Sequence, residues 1–200
     1  MTIFNICVEG ESDVGAVASA IQYAGGSVGG IFGRGGKSKV LARLEAYNQA
    51  AERMPWAVVV DLDHDFDDAG KASDAWLGSS GAAPLMAFGI AVREVESWLI
   101  ADREALSDYL GVSIDRITEQ PDSLDDPKQY LVNLARHSRL RTIRESLVPR
   151  KGSGASVGPL YASEIRRFGE GRLDVARACQ RSASLREFVA SVEAVVLRGA

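Results

Sequence analysis

Long apolar runs, cysteine and internal repeats are what this sequence of 200 residues lacks, and each shortage excludes something. No apolar stretch reaches the roughly 18 residues that a bilayer-crossing helix needs. The chain opens directly into Ile3, Phe4, Ile6 and Val8 without a basic leader, so a secretory signal is not expected. Two cysteines, Cys7 and Cys179, are too few for a disulfide framework and fit a reducing cytoplasm. No period points to a solenoid or propeller. Hydrophobic residues at 46% and charged residues at 25% exclude a disordered chain, and the length suits one domain, or one domain with an elaboration. A cytoplasmic globular protein is the expectation.

Net charge is only −4, but it is unevenly placed. Residues 1–100 carry 7 basic and 13 acidic side chains, whereas residues 131–200 carry 13 basic and 6 acidic ones, twelve of the 13 being arginine. Such asymmetry fits a polyanionic partner, and arginine suits bidentate phosphate contact. Solvated helix faces would give the same count. Arg136, Arg139, Arg141, Arg144, Arg150 and Lys151, set against Glu145 alone, are the candidate nucleic-acid-binding residues, and Arg136 and Arg139 are spaced to share a helical face.

The first half alternates strand and helix. Apolar runs at 3–8, 28–32, 56–61 and 85–92 read as strands, the third without polar alternation, as expected of a strand covered on both faces. Ser12 is placed to cap a helix through Val14, Val17 and Ile21, and residues 37–53 read as one helix through Val40, Leu41, Leu44 and Tyr47. A short helix is expected around Val95, Trp98 and Leu99, with Trp98 in the core. Asp102 is placed to cap the helix that follows, and Asp67 and Asp68 to start a loop and cap another. The second half reads as helices separated by prolines. Capping boxes stand at Asp126-Pro127 with Gln129, and at Ser184 with Glu187. Alternation followed by helices predicts an α/β fold, a mainly parallel sheet flanked by helices with an α-helical C-terminal elaboration, divided softly into residues 1–105 and 106–200.

Two of the predicted strands end in acid. The first continues into Glu9-Gly10-Glu11-Ser12-Asp13 and the third into Asp61-Leu62-Asp63-His64-Asp65. In a parallel sheet, groups just past the carboxyl ends of strands meet in one crevice. On an extended backbone Asp61, Asp63 and Asp65 would point the same way, with His64 opposite on the solvent side. Clustered carboxylates repel, so some must protonate or a cation must bind, and neither motif holds a lysine to neutralise them. Mg²⁺ or Mn²⁺ on Glu9, Asp61, Asp63 and Asp65 is the expectation, since such ions favour oxygen ligands. An EF-hand fails, because Phe66 and Ala72 stand where glycine and glutamate are required. A haloacid-dehalogenase-type phosphatase shares the Asp-x-Asp and remains a weaker reading. A Walker loop at 33–38 fails because Ile31 stands where its first glycine belongs. Lys37 and the bare amides around it could still hold a phosphate, or form only a turn.

The strand ending in Glu9-Gly10-x-x-Asp13 and the later strand ending in Asp61-x-Asp63 resemble the Toprim fold of topoisomerases, primases and OLD-type nucleases. Gly36-Lys37-Ser38, the segment from Val95 to Asp102 with Glu96 and Trp98, Asp126-Pro127-Lys128, and the C-terminal run from Ser184 to Phe188 narrow the similarity. Together they resemble an uncharacterised bacterial Toprim-like group, domain of unknown function 4276. The resemblance implies Glu9 as metal ligand or general acid/base, Asp61 and Asp63 as metal-binding aspartates, and Glu96 as an added acid for a second metal. It also implies Mg²⁺-dependent cleavage of nucleic acid, in defence against phage or plasmids beside an ATPase partner. A non-catalytic module that binds nucleic acid or an ATPase is the alternative.

Overall fold

A computed structural model describes residues 1–199. Four strands, β1 (Ile3–Val8), β2 (Ser27–Gly33), β3 (Trp56–Asp61) and β4 (Met86–Ala91), form one sheet in the order β2-β1-β3-β4, with every pairing parallel. The chain moves outward from β1 to β2, then returns past β1 to build β3 and β4 on the other side. Strand order therefore reverses between β1 and β3, the place where an α/β sheet opens a crevice beyond its carboxyl ends.

β3 is buried at all six positions, and the period of two explains why it reads as a continuous apolar run. Trp56, Val58 and Val60 join Val40, Leu44 and Tyr47 in a core on one face of the sheet. Ala57 and Val59 join Phe4, Ile6 and Val8 in the larger core on the other. That larger core also takes Leu131, Phe168 and Val192, so the helices of the second half share it with the first strand.

The first face is covered by α2 (Lys37–Leu41), α3 (Leu44–Ala50) and α4 (Ala69–Leu77). The single helix expected over 37–53 is thus two, with Arg43 at φ −113° between them. Val40, Leu44 and Tyr47 stay against the sheet on both sides of the break, so apolar spacing alone does not register it. Asp68 caps α4 by accepting from the Lys71 amide at 2.9 Å.

The other face carries α1 (Asp13–Tyr23), α5 (Glu96–Ala101), α6 (Arg103–Leu110), α7 (Pro127–Arg136), α8 (Arg141–Leu147), α9 (Tyr161–Gly171), α10 (Val175–Ala178) and α11 (Ala183–Arg198). Gly15 of α1 and Gly169 of α9 let two helix backbones touch: a Cβ on Gly15 would sit 2.2 Å from the Arg166 carbonyl oxygen. α11 lies on β4, where Phe188 fills the space left by Gly89 and stacks on Trp98 at 5.3 Å between centroids. Two expected caps differ. The helix-opening residue of α11 is Ser182, which accepts from the Leu185 amide, while Ser184 is buried and accepts from the Trp98 indole at 2.8 Å. Ser12 precedes α1, but its hydroxyl donates to Asp13 instead of capping the helix. Asp102 caps α6 as expected and also takes a bidentate contact from Arg177. No described helix is long and apolar enough to cross a membrane.

Candidate functional site

The crevice between the carboxyl ends of β1 and β3 gathers four carboxylates. Glu9 follows β1 directly and accepts from the Asp61 amide at 2.8 Å. Asp61, the last residue of β3, accepts from the Val95 amide at 2.9 Å, which ties it to the N-terminus of α5. Asp13 opens α1 and reaches back to the Gly10 amide at 2.7 Å. Glu96 opens α5, is 1% exposed, and accepts from the Tyr161 hydroxyl at 3.2 Å through Oε1. Its Oε2 is buried without a hydrogen-bond partner.

These groups resist ionisation. Burial pushes Glu9 up to about 7, with Asp63 and Asp13 adding repulsion against the pull of Lys37. Asp61 is raised well above the usual carboxylate range by burial, then by Asp13, Glu96 and Glu9. Burial likewise raises Asp13, and raises Glu96 to about 7 although Lys128 pulls it the other way. Ionising all four together would concentrate negative charge where water is scarce, and a bound cation would relieve that.

Neither motif holds a lysine, but two lysines from elsewhere in the chain enter this region. Lys37 lies 2.6 Å from an Asp65 oxygen and 3.2 Å from an Asp63 oxygen, and also sits over the Trp76 ring. Lys128, in the first turn of α7, lies 2.7 Å from Glu94 and 3.6 Å from Glu96. Burial works against its charge, but Glu96 and Glu94 outweigh that and raise its pKa. Glu94, Lys128 and Tyr161 were not legible as site residues. They arrive on α7, on α9 and on the turn before α5, far apart in sequence. Asp13, part of the first acidic motif, joins the site by folding back on the Gly10 amide, which its spacing alone does not reveal.

Asp61, Asp63 and Asp65 do not share one extended face. Asp63 has φ +48°, its amide donates to the Arg93 carbonyl, and the Arg93 guanidinium donates back to the Asp63 carbonyl. This turn ends the strand alternation, so Asp61 faces Val95 while Asp63 and Asp65 share Lys37. His64 is exposed.

The chemistry of the donor set suits a hard divalent cation. All the donors are carboxylate oxygens, and one of them, Glu96 Oε2, is buried and unpartnered. Among the described residues no group of three or more His, Cys, Asp or Glu side chains is placed to hold a metal ion. Mg²⁺ does not require one, since it commonly uses one or two carboxylates and fills its shell with water and substrate phosphate. Glu9 and Asp61 each spend one oxygen on a backbone amide and keep the other for such a role.

The basic candidates lie apart from these carboxylates in sequence and divide among themselves. α7 ends at Arg136 and Arg139 lies in the following turn, so the two do not share a helical face. The turn forms because the Ser138 hydroxyl accepts from the Leu140 amide and donates to the Leu110 carbonyl. Arg136, Arg144 and Arg150 line one cavity. Arg141 is exposed and paired with Glu145, and Lys151 is exposed on the loop after α8.

No family model matches this sequence, and no curated protein is significantly similar to it. Among solved structures, the C-terminal region of the OLD protein from Xanthomonas campestris pv. campestris is similar in fold, with a TM-score of 0.50 at 14% identity. The match covers 99% of this chain and 96% of the other. At that identity the likeness concerns the fold: the parallel sheet and its C-terminal helices are arranged as in the C-terminal region of an OLD protein.

Proposed function

We propose that the chain hydrolyses phosphodiester bonds in nucleic acid with Mg²⁺ or Mn²⁺, as a Toprim-type nuclease related to the uncharacterised group that its motifs resemble. The observation that carries this reading is the convergence of Glu9, Asp13, Asp61 and Glu96 at the strand-order reversal, with burial raising the pKa of each. The fold shared with an OLD protein's C-terminal region supports it. Action beside an ATPase in defence against phage or plasmids belongs to the same proposal.

Glu9 and Asp61 would hold the cation, with Asp63 and Asp65 beside them and Glu96 supplying a further carboxylate. Bound there, the cation would polarise a phosphoryl oxygen and lower the pKa of its water. The Glu9 oxygen left over from the Asp61 amide would hold the cation or take a proton from the attacking water. Lys128 and Tyr161 both contact Oε1 of Glu96, which orients the carboxylate and leaves Oε2 without a protein partner. Lys37 balances Asp63 and Asp65 and offers positive charge at the mouth of the crevice.

The test incubates supercoiled, linear and single-stranded substrates with the protein in Mg²⁺ or Mn²⁺, alone and with an ATPase candidate, beside Glu9→Gln. Cleavage is expected in the wild type and a loss of at least 100-fold in the variant. Cleavage that Glu9→Gln leaves unchanged, or none under any condition, would replace this reading with a non-catalytic binding module.

A further inference from the structure

A surface cavity of about 810 Å³ opens where α7 ends, along α8 and against the segment that follows it. Its wall is made of Arg136, Arg144, Glu145, Val148, Pro149 and Arg150. Elsewhere on this surface arginines pair with acids along their own helix, as Arg166 does with Glu170 at 2.7 Å. Here three arginines, from the end of α7, from α8 and from the segment after it, line one space. The one acid in the wall, Glu145, is engaged by Arg141 at 2.7 Å. Arg136 and Arg150 are exposed and form no ion pair among the described residues.

The cavity is also held in shape. Arg144 donates to the Ser138 carbonyl, and the Ser138 hydroxyl is tied to α6 through the Leu110 carbonyl. After the loop at 150–157, the Gly158 amide donates to the Leu147 carbonyl at 2.9 Å and the Leu160 amide to the Ser146 carbonyl at 3.1 Å. A Cβ on Gly158 would lie 2.3 Å from that Ser146 oxygen, so the chain returns to α8 at a distance only glycine permits. Less side-chain and loop freedom then has to be lost when a ligand enters.

We propose that this cavity binds a terminal phosphate of a nucleotide unit, either at the end of a nucleic-acid strand or on a free nucleotide. A phosphomonoester carries about −1.5 to −2 charge near neutral pH, against −1 for a backbone diester. Three arginines around one space match the greater charge, and the planar guanidinium fork suits bidentate contact with phosphate oxygens. Val148 and Pro149 give the same wall an apolar part against which a sugar or base can rest. The volume falls within the roughly 300–1,000 Å³ usual for small-ligand sites. As the strand-end site of the proposed nuclease it rests on that reading for its purpose, but its binding is tested without cleavage.

Binding is measured in EDTA on the Glu9→Gln background. The ligands are one labelled oligonucleotide with a 5′-phosphate, with a 3′-phosphate or with hydroxyl ends, together with a free nucleoside monophosphate. A phosphorylated form is expected to bind at least tenfold tighter than the hydroxyl form, and Arg136→Ala/Arg150→Ala, both exposed positions, is expected to abolish that preference. Tighter binding of the strand than of the monophosphate assigns a strand end, and equal binding assigns the free nucleotide. Lack of any phosphate preference in the Glu9→Gln protein, or a preference that survives the double substitution, would overturn the proposal whatever the nuclease assays give. Arg144→Lys provides a second check: it keeps the charge but loses the fork, and should weaken the phosphorylated ligand more than the hydroxyl one.

Discussion

Glu96 shows at the scale of one residue what the crevice costs the protein without a cation. Its ordinary value is 4.5 and burial in the fold raises it to about 7, so between those values the folded state holds a proton that the unfolded state has released. The sign follows directly: Glu96 makes no demand below about 4.5 and lowers stability progressively as pH rises toward 7. Above that the loss is on the order of 2–3 kcal/mol. Glutamine cannot ionise, yet its carbonyl oxygen can still accept from Tyr161. In EDTA, Glu96→Gln should melt close to the wild type at pH 5 and several degrees above it at pH 8. Thermal unfolding at the two values checks this, and a gap independent of pH would show that Glu96 is already neutral or well compensated by Lys128. The residue itself was legible, as part of the segment leading to Trp98. Its partners were not, because Lys128 and Tyr161 meet it only after α7 and α9 have packed.

Among elements, the contact between α1 and α9 decides whether Tyr161, the first residue of α9, reaches Glu96. Gly15 and Gly169 allow that contact, and the Ser19 hydroxyl closes it by donating to the Gly169 carbonyl at 2.7 Å. Gly15→Ala would press a methyl group into the Arg166 backbone and force the helices apart, costing about 1–3 kcal/mol or more. Gly171→Ala is the control: it lies at the end of α9 with nothing within 4 Å of its Cβ position, and should be neutral or slightly stabilising. Urea unfolding of the two variants should separate them clearly, and equal midpoints would mean that the helices yield without cost. Element existence and type followed from the sequence where burial on two faces or a capping side chain left a local mark, as in β3 and at Asp126. The departures are positional. One long helix became two, Ser182 took the cap assigned to Ser184, and the Asp61–Asp65 run bent at Asp63. In the last two a contact distant in sequence overrode the local pattern: Trp98 for Ser184 and Arg93 for Asp63.

For the whole molecule, the question is whether the sheet and the C-terminal helices stand or fall together. Phe188 of α11 is 1% exposed, fits over Gly89 of β4 and stacks on Trp98 of α5, so one side chain joins the last helix to the sheet edge and to the element bearing Glu96. Ser184 reinforces the joint through the Trp98 indole. Truncating a buried phenylalanine costs about 3–5 kcal/mol, more than a typical surface ion pair by several-fold. The larger core runs from Phe4 to Val195 without a gap between the halves, so the loss should be felt throughout rather than released by one part alone. Phe188→Ala is therefore expected to unfold in a single transition at markedly lower urea, with the Trp98 environment and far-ultraviolet circular dichroism changing together. Two separated transitions would show instead that residues 1–105 keep their sheet without α11. In that event the carboxylates of β1 and β3 would remain assembled while Lys128 and Tyr161 left them. The half of the site written next to the strands would then be separable from the half that only packing brings.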